Sequence, residues 1–316
     1  MNVLVTGGAG FIGSHLVERL VAESGAGISV RVVDNLCTGK LENIRPFLPR
    51  IEFIQGDLLD EDVRERAARD VEVIFHLAAL PSVPRSVANP VPSHLHGVHA
   101  ALLLLDAARR HKVRRFIYAG SSSVYGDTET LPRHEDLPPR PLSPYAVSKL
   151  AGEYYLRAFA RCYGMDTVTL RYFNIFGPRQ DPGSQYSGVI AKFCTAFLRA
   201  EPLTIFGDGE QSRDFTFVRN AVEANWLAAR APGPFAGEVL NIGCGARTSL
   251  NQMLRHLNEL TGRKRAATYA PARAGDVRHS QADIARARER LGYTPQVDFR
   301  TGLGSTFEWY RRMVGG

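Results

Sequence analysis

Cysteine is scarce in this sequence, where Cys37, Cys162, Cys194 and Cys244 stand far apart and form no C-x-x-C pair. This spacing argues against a disulfide framework or a thiolate metal centre and favours reduced thiols in a cytoplasmic protein. Long apolar runs are lacking too, since none approaches the roughly 20 residues of a membrane-spanning helix. Residues 1–21 have neither a basic start nor a small-residue cleavage site, so we expect no signal peptide.

Lysine is also rare: only five of the 39 lysine and arginine residues are lysines. The formal net charge of the chain is +7. A basic surface can serve nucleic-acid binding, but the arginines here are spread along the whole chain. The densest basic stretch, residues 263–290, is interrupted by Asp276, Asp283 and Glu289. We therefore expect no nucleic-acid partner and a solvated positive surface, which would also suit a small anionic substrate.

The first half of the chain shows a regular alternation of strand and helix patterns. Short apolar runs predict the strands, and apolar residues spaced three and four apart predict the helices between them. Strands are predicted at 2–6, 30–33, 51–55, 72–76, 115–119 and 168–172, and helices at 11–23, 60–69, 91–111 and 143–163. This order is typical of an α/β fold with a doubly wound, Rossmann-type parallel sheet.

The alternation becomes less regular after Asn174. Helices are predicted at about 189–200, 218–230, 249–261 and 282–291, and strands at 203–206 and 238–242. We expect a Rossmann-type domain over residues 1–173, which residues 214–243 rejoin. Residues 174–316 are expected to form a smaller C-terminal α/β substrate-binding lobe, with a cleft between the two.

A glycine-rich turn follows the first strand and opens the first helix. Gly7, Gly10 and Gly13 would allow a tight turn, close approach of a pyrophosphate and close helix packing. The phosphates would meet the free N–H groups of the helix N-terminus. Asp34 ends the second strand, where a carboxylate binds a ribose 2′-hydroxyl and repels a 2′-phosphate. The pattern predicts NAD rather than NADP, with the adjoining residues in the same site: Phe11, Ile12, Asn35, Thr38 and Gly39.

A tyrosine and a lysine four residues apart, Tyr145 and Lys149, share one face of a predicted helix. A free phenol has a pKa near 10 and is a poor base at neutral pH. The lysine ammonium and a positive nicotinamide ring would both lower that pKa, so that Tyr145 could take a proton. A hydroxyl of Ser121, Ser122 or Ser123 could hydrogen-bond the substrate oxygen that Tyr145 deprotonates.

Several further motifs complete an ordered set along the chain. Its G-x-x-G-x-x-G spacing and Y-x-x-x-K pair are similar to those of the extended short-chain dehydrogenase/reductases, and the whole set resembles the NAD-dependent nucleotide-sugar epimerase/dehydratase family. The resemblance is strongest to UDP-glucose and UDP-N-acetylglucosamine 4-epimerases. The segments that carry it are Gly56–Leu58, His76–Ala79, Arg171–Asn174, Gly177–Gln180, Gly207–Gly209, Arg213–Phe215 and Arg273–Asp276.

The resemblance implies roles for residues that the patterns alone do not single out. It favours Ser122 over its neighbours as the serine that contacts the substrate oxygen. It implies dinucleotide contacts from Asp57, Leu58, Leu77, Ala78, Ala79 and Tyr172, besides Tyr145 and Lys149. It implies a UDP-sugar site that contains, besides Ser122 and Tyr145, the residues Asn174, Val189, Lys192, Phe206, Arg213, Arg273, Asp276 and Ser280.

The expected activity is therefore UDP-hexose 4-epimerisation through a transient 4-keto sugar. Related dehydratases and decarboxylases carry acidic residues after the equivalent hydroxyl, and residues 122–126 contain none. The alternative is a UDP-glucuronate 4-epimerase or another sugar-nucleotide oxidoreductase. It is placed second because Asp181 stands where glucuronate-specific relatives would be expected to have an arginine. A non-enzymatic NAD-sensing protein would be expected to have lost Tyr145, Lys149 or the serine, and all are present.

Two finer expectations concern assembly and substrate breadth. Relatives pair the helices equivalent to 91–111 and 143–163 into a dimer, and Leu103, Leu104 and Phe159 are apolar positions beyond those that one sheet face needs. The resemblance places Ser280 beside C2 of the hexose, where a small side chain leaves room for an N-acetyl group. Alternatively, Ser280 only starts the helix predicted at 282.

Overall fold

The chain folds around a sheet whose strands are short and mostly apolar. The computed structural model describes residues 1–23, 25, 27–182, 188–272 and 277–315. The strands are β1 (Asn2–Thr6), β2 (Ser29–Asp34), β3 (Glu52–Gln55), β4 (Val73–His76), β5 (Arg115–Ser121), β6 (Asp166–Tyr172), β7 (Ile175–Phe176), β8 (Thr204–Phe206), β9 (Ser212–Arg213), β10 (Thr216–Phe217), β11 (Glu238–Ile242), β12 (Thr248–Ser249) and β13 (Thr268–Ala270).

The central sheet has seven strands in the order β11-β6-β5-β4-β1-β2-β3, and every neighbouring pair is parallel. The order reverses beside β1, which is where doubly wound sheets bind ligands at the carboxyl ends of their strands. All of β4 is buried, which explains why its sequence reads as a continuous apolar run rather than an alternation. The predicted Rossmann-type α/β class is confirmed.

Helices cover both faces of the sheet. They are α1 (Phe11–Ala22), α2 (Glu61–Ala68), α3 (Val83–Ala88), α4 (Pro90–His94), α5 (Ala100–Arg110), α6 (Pro144–Tyr163), α7 (Val189–Arg199), α8 (Val218–Arg230), α9 (Leu250–Thr261), α10 (Ala285–Leu291) and α11 (Phe299–Gly315). Alternate residues of β1 point to opposite cores, with Val3 and Val5 in one and Leu4 in the other. None of the helices in the described residues is long and apolar enough to cross a bilayer.

The helix predicted at 91–111 is present but is not uniform. A π-helical turn, Leu95–His99, joins α4 to α5. Gly97 lies in this turn, and a Cβ there would come within 2.9 Å of Ser148 Oγ. The glycine thus lets this turn approach α6 closely, beside the residues that precede Lys149.

Some elements differ from those expected. Helix α10 begins at Ala285, with Ile284 as its N-cap, so the helix start predicted at 282 is wrong, as is the idea that Ser280 caps it. The sequence did not predict α3 or α11. Within α11, Gly302 packs so close to Phe217 that a Cβ would lie 2.8 Å from its ring. Glycine there serves packing, and it also obscures the helical pattern.

The chain returns to the first half of the molecule after residue 214. Strand β11 pairs with β6, from Glu238 opposite Val168 to Ile242 opposite Tyr172. Helix α8 packs against α1, and Arg19 lies over the ring of Trp226 at 5.0 Å. The division into an NAD-binding domain over 1–173 and a substrate lobe over 174–316 stays a prediction.

Candidate active site

The glycine turn after β1 has the geometry of a phosphate cradle. Gly7 has φ +68°, and a Cβ on it would lie 2.9 Å from the backbone of Ala78. A Cβ on Gly13 would lie 2.1 Å from the carbonyl oxygen of Gly7, so α1 can start here only with glycine. Helix α1 has no side-chain cap and no acidic residue in its first turn. Its first N–H groups therefore suit an anion such as a pyrophosphate.

Asp34 lies at the end of β2, beside this turn. Its carboxylate accepts hydrogen bonds from the backbone N–H of Ala9 at 2.9 Å and of Leu36 at 2.8 Å. Burial raises the pKa of this carboxyl group, and the two N–H donors oppose the shift. The next basic residue along the chain, Lys40, is paired with Asp181 at 3.2 Å. The site therefore presents a carboxylate that suits a ribose hydroxyl rather than a 2′-phosphate.

A cavity of about 1400 Å³ runs from this turn across the carboxyl ends of the strands. It is lined by every residue predicted to bind the dinucleotide: Gly7, Gly10, Phe11, Ile12, Gly13, Asp34, Asn35, Thr38, Gly39, Asp57, Leu58, Leu77, Ala78, Ala79, Tyr145, Lys149 and Tyr172. The chain thus brings these residues together and leaves room for a dinucleotide, which fits the expected NAD. Among the described residues, no three His, Cys, Asp or Glu side chains are grouped as a metal site.

Tyr145 stands in the first turn of α6, inside this cavity. Ser143 caps the helix by accepting the N–H of Ala146, and Pro144 takes the first helical position, where it needs no partner for an N–H. The backbone N–H of Tyr145 donates to Ser86 Oγ of α3 at 3.0 Å. Burial raises the pKa of the Tyr145 phenol, and a hydrogen bond with Ser121 opposes the rise.

Lys149 is buried one turn further along α6. Its Nζ donates to the carbonyl oxygen of Ala119 at 2.8 Å and lies 4.9 Å from the centre of the Tyr118 ring. Burial lowers the pKa of Lys149 to about 8, and the Glu153 carboxylate partly restores it. The lysine was expected to lower the pKa of Tyr145, but burial dominates the balance at the phenol. Burial therefore favours the neutral form of the Tyr145 phenol.

The three serines after β5 are not equivalent. Ser121 Oγ lies 2.9 Å from Ser123 Oγ and also contacts the Tyr145 phenol. Ser122 begins a short 3₁₀ helix and lines the cavity with its two neighbours. The geometry favours Ser121 as the hydroxyl that acts with Tyr145, whereas the resemblance favours Ser122, and the choice stays a prediction.

A second cavity of about 640 Å³ adjoins the first, and Asn174 and Arg213 line both. Three more of the residues predicted to bind substrate, Val189, Lys192 and Phe206, line the second cavity only. Ser280 lines the first cavity. Arg273 and Asp276 lie outside the described residues. A ligand with a sugar and a nucleotide could therefore extend from Tyr145 past Arg213 toward Phe206.

Sequence reasoning missed two residues of this site. Ser86, on the unpredicted α3, fixes the backbone of Tyr145. Arg133 lines the first cavity from the loop that precedes α6. No short motif surrounds Arg133, and its place in the wall arises because its backbone pairs with residues about 150 positions further along the chain.

Comparison with known proteins agrees with this arrangement. A protein-family model described as the NAD-dependent epimerase/dehydratase family matches residues 3–243. A UDP-glucose 4-epimerase from Mycolicibacterium smegmatis is 40% identical over 316 residues, which cover 98% of this chain and 99% of the relative.

Two solved structures are similar over nearly the whole chain. A UDP-glucose 4-epimerase from Thermotoga maritima, determined with UDP-glucose, is 41% identical with a TM-score of 0.93, covering 99% of this chain and 100% of that one. A UDP-N-acetylglucosamine 4-epimerase from Methanobrevibacter ruminantium, in complex with UDP-N-acetylmuramic acid, is 39% identical with a TM-score of 0.93. The match covers 99% of this chain and 98% of that one. With its glycine turn, its half-buried Tyr145, its buried Lys149 and these likenesses, the chain belongs to the NAD-dependent epimerase/dehydratase family.

Proposed function

We propose that this protein is a UDP-hexose 4-epimerase that interconverts UDP-glucose and UDP-galactose with bound NAD. The observation that carries the proposal is the position of Tyr145, half-buried in contact with Ser121 and one turn from Lys149, in a cavity that continues to the glycine turn. The glycine turn and Asp34 would hold NAD, which would supply a reversible hydride acceptor for C4 of the sugar.

The side chains of this chain supply the proton transfer. Tyr145 takes the proton of the sugar 4-hydroxyl as the 4-keto sugar forms and returns it after the sugar has turned over. Lys149 is largely cationic at pH 7, since its pKa is about 8, and its charge favours the phenolate. The Ser121 hydroxyl can hold the 4-oxygen during both transfers. Residues 122–126 offer no acid to expel water from the keto sugar, so elimination is disfavoured.

The substrate would be held by its nucleotide, while its sugar stays free to turn. Arg213 lies where the two cavities meet, and its guanidinium suits a diphosphate oxygen. Phe206 would lie against uracil in the second cavity. Weak contacts near Tyr145 would let the 4-keto sugar present its other face. The cytoplasm is the location that we propose for this reaction.

Turnover of three substrates tests the proposed function. UDP-galactose, UDP-N-acetylgalactosamine and UDP-galacturonate are compared by kcat/KM with the purified protein. We expect C4 inversion of the first two, with the uronate slower. The proposal is wrong if none of the three is inverted at C4.

We further propose that N-acetylated sugars are substrates because Ser280 leaves space for the substituent. Ser280 lines the first cavity, and its backbone N–H donates to Ser212 O at 3.0 Å, which fixes its position. In Ser280→Tyr, the ring would occupy space in the cavity, and overpacking costs about 1–3 kcal/mol. We expect kcat/KM for UDP-N-acetylglucosamine to fall about 5- to 150-fold with little change for UDP-glucose. Equal losses on both substrates would refute this role.

A homodimer is the assembly that we propose. Of the three apolar residues that suggested it, Leu104 and Phe159 are buried in the core of the monomer, so they do not support an interface. Other apolar side chains are exposed on α3, α4 and α6 and on the π-helical turn between α4 and α5: Val87, Val91, Leu95, Val147, Tyr154 and Tyr155. These elements pack side by side, and their exposed apolar residues favour pairing with a second copy.

A further inference from the structure

Arg133 is held rigidly in the wall of the first cavity. Its backbone N–H donates to Gln281 O at 2.8 Å, and its carbonyl oxygen accepts the N–H of Asp283 at 2.8 Å. These bonds join the loop before α6 to the segment that carries Ser280. The Arg133 side chain therefore starts from a fixed backbone rather than from a loose loop.

The side chain of Arg133 is buried with few partners. It is 3% exposed, and its one hydrogen bond within the described part of the chain runs from Nη2 to His279 O at 3.3 Å. Its Nε is buried without any acceptor. No carboxylate of the described residues lies within ion-pair distance of it. Burying a cation with so little compensation is unfavourable in a resting protein.

Two other buried arginines of this chain are paired with carboxylates, whereas Arg64, 6% exposed, has no ion pair within the described residues and donates to three backbone carbonyls instead. Arg115 is 3% exposed and pairs with Asp166 at 2.6 Å, and Arg171 is 4% exposed and pairs with Glu153 at 2.7 Å. Both also lie over aromatic rings, of Phe235 and Tyr125 respectively. Among the described residues, Arg133 has neither such a carboxylate nor the several carbonyl acceptors of Arg64. An anion bound in the cavity would supply the counter-charge that these residues do not.

The surroundings of Arg133 indicate where that counter-charge would lie. Arg133 lines the first cavity together with Tyr145, Ser122 and Ser280, and it does not line the second cavity. Burial lowers the pKa of Arg133, and the nearby charge of Arg213 lowers it further, although a guanidinium stays protonated in any case. The two cations thus create a positive potential in the first cavity, which also contains Tyr145.

We propose that Arg133 binds an anionic oxygen at the sugar end of the substrate, either on the β-phosphate or on a carboxylate at C6. The inference rests on the proposed function, because it assumes that a sugar nucleotide occupies the cavity. A guanidinium can donate hydrogen bonds to either group. If Arg133 binds a C6 carboxylate, it would supply the cation that a uronate needs near its sugar and that Asp181 cannot provide.

Calorimetric titration with UDP, UDP-glucose and UDP-glucuronate tests this assignment in the NAD-loaded protein. Arg133→Met removes the charge and keeps most of the stem, and Arg133→Lys keeps a charge without the fork. Arg278→Met is the matched control, because Arg278 has 65% of its side chain exposed, pairs with Asp208 and lines neither cavity. The melting temperature of each variant is measured alongside.

We expect Arg133→Met to weaken binding by about tenfold or more, as for loss of a charged hydrogen bond, with partial recovery in Arg133→Lys. An equal loss for all three ligands identifies the β-phosphate, and a loss confined to UDP-glucuronate identifies the carboxylate. The melting temperature should be maintained or raised, since an unpaired buried charge is removed.

Unchanged affinity of Arg133→Met for all three ligands would overturn the inference. So would a lower melting temperature with affinities that fall no further than in Arg278→Met, because that result describes a structural arginine. Failure of the proposed function would show differently, as a wild-type protein that binds none of the three ligands or turns over no UDP-sugar.

Discussion

Tyr145 combines two conditions that pull its protonation in opposite directions. Burial raises the pKa of the phenol, whereas its role as a base needs that pKa lowered. The hydrogen bond with Ser121 opposes the effect of burial. The charge of Lys149 and the positive ring of bound NAD would lower the pKa further, which is what the proposed role of Tyr145 as a base requires.

The Tyr145→Phe variant should lose turnover by about 10²-fold or more, because a general acid–base group is removed. NAD should stay bound, since the glycine turn and Asp34 are untouched. Turnover of UDP-galactose and the NAD content of the purified variant are the two measurements. A variant that keeps a tenth of wild-type turnover would show that Tyr145 is not the base.

The Lys149→Met variant should melt at a higher temperature than the wild type at pH 7. In the folded protein the pKa of Lys149 is about 8, below its ordinary value of 10.5, so the folded state binds fewer protons than the unfolded state between those values. The charged Lys149 therefore lowers the free energy of unfolding of the wild type most strongly below pH 8. This destabilisation decreases as the pH rises toward 10.5.

The advantage of Lys149→Met should accordingly shrink as the pH is raised from 7 through 9. Thermal unfolding at pH 7, 8 and 9 measures it, and Lys264→Met, which removes an exposed lysine, is the control. A pH-independent difference between Lys149→Met and wild type would contradict the lowered pKa.

At the scale of single residues, the motifs predicted much of the site. The seventeen residues expected around the dinucleotide all line one cavity, because they follow strands whose carboxyl ends meet at one edge of the sheet. Arg133 and Ser86 could not be predicted. Each reaches the site through a contact between distant segments, to residues near 281 or to α6, and such contacts leave no local pattern.

At the scale of elements, the prediction was best where burial is continuous. The strands of the central sheet and helices α1, α6 and α8 were placed within a few residues, because their apolar periodicity is strong. Two-residue strands such as β9 and β10 were missed, since they are too short to show any period. Helix α11 was missed as well, although its apolar face is buried against the rest of the molecule.

The start of α1 gives a prediction at this scale. A Cβ on Gly13 would lie 2.1 Å from Gly7 O, a backbone atom that cannot move without opening the turn. Gly13→Ala should therefore displace α1 and reduce bound NAD strongly. Gly304→Ala is the control, because its Cβ would meet Leu260 at an ordinary 3.7 Å. Normal NAD content in Gly13→Ala would show that the turn tolerates a side chain.

At the scale of the whole molecule, exposed apolar residues bear on the oligomeric state. Val91 is 64% exposed and Tyr154 is 51% exposed, on helices that lie next to each other. We predict a dimer by light scattering at micromolar concentration and its dissociation in Val91→Glu, because a charge would be buried at the interface. Val314→Glu alters an exposed valine far along the chain and should leave the dimer intact. A wild-type monomer would exclude the proposed pairing.

In the proposed reaction a hydride leaves C4 and returns to the same carbon without exchange. UDP-galactose carrying deuterium at C4 of the sugar is incubated with the purified protein and no added reductant, and the product is analysed for the label. We expect UDP-glucose with the deuterium retained at C4, because Tyr145 exchanges only the hydroxyl proton with solvent. Loss of the label to water, or a product that has lost water instead of inverting C4, would contradict it.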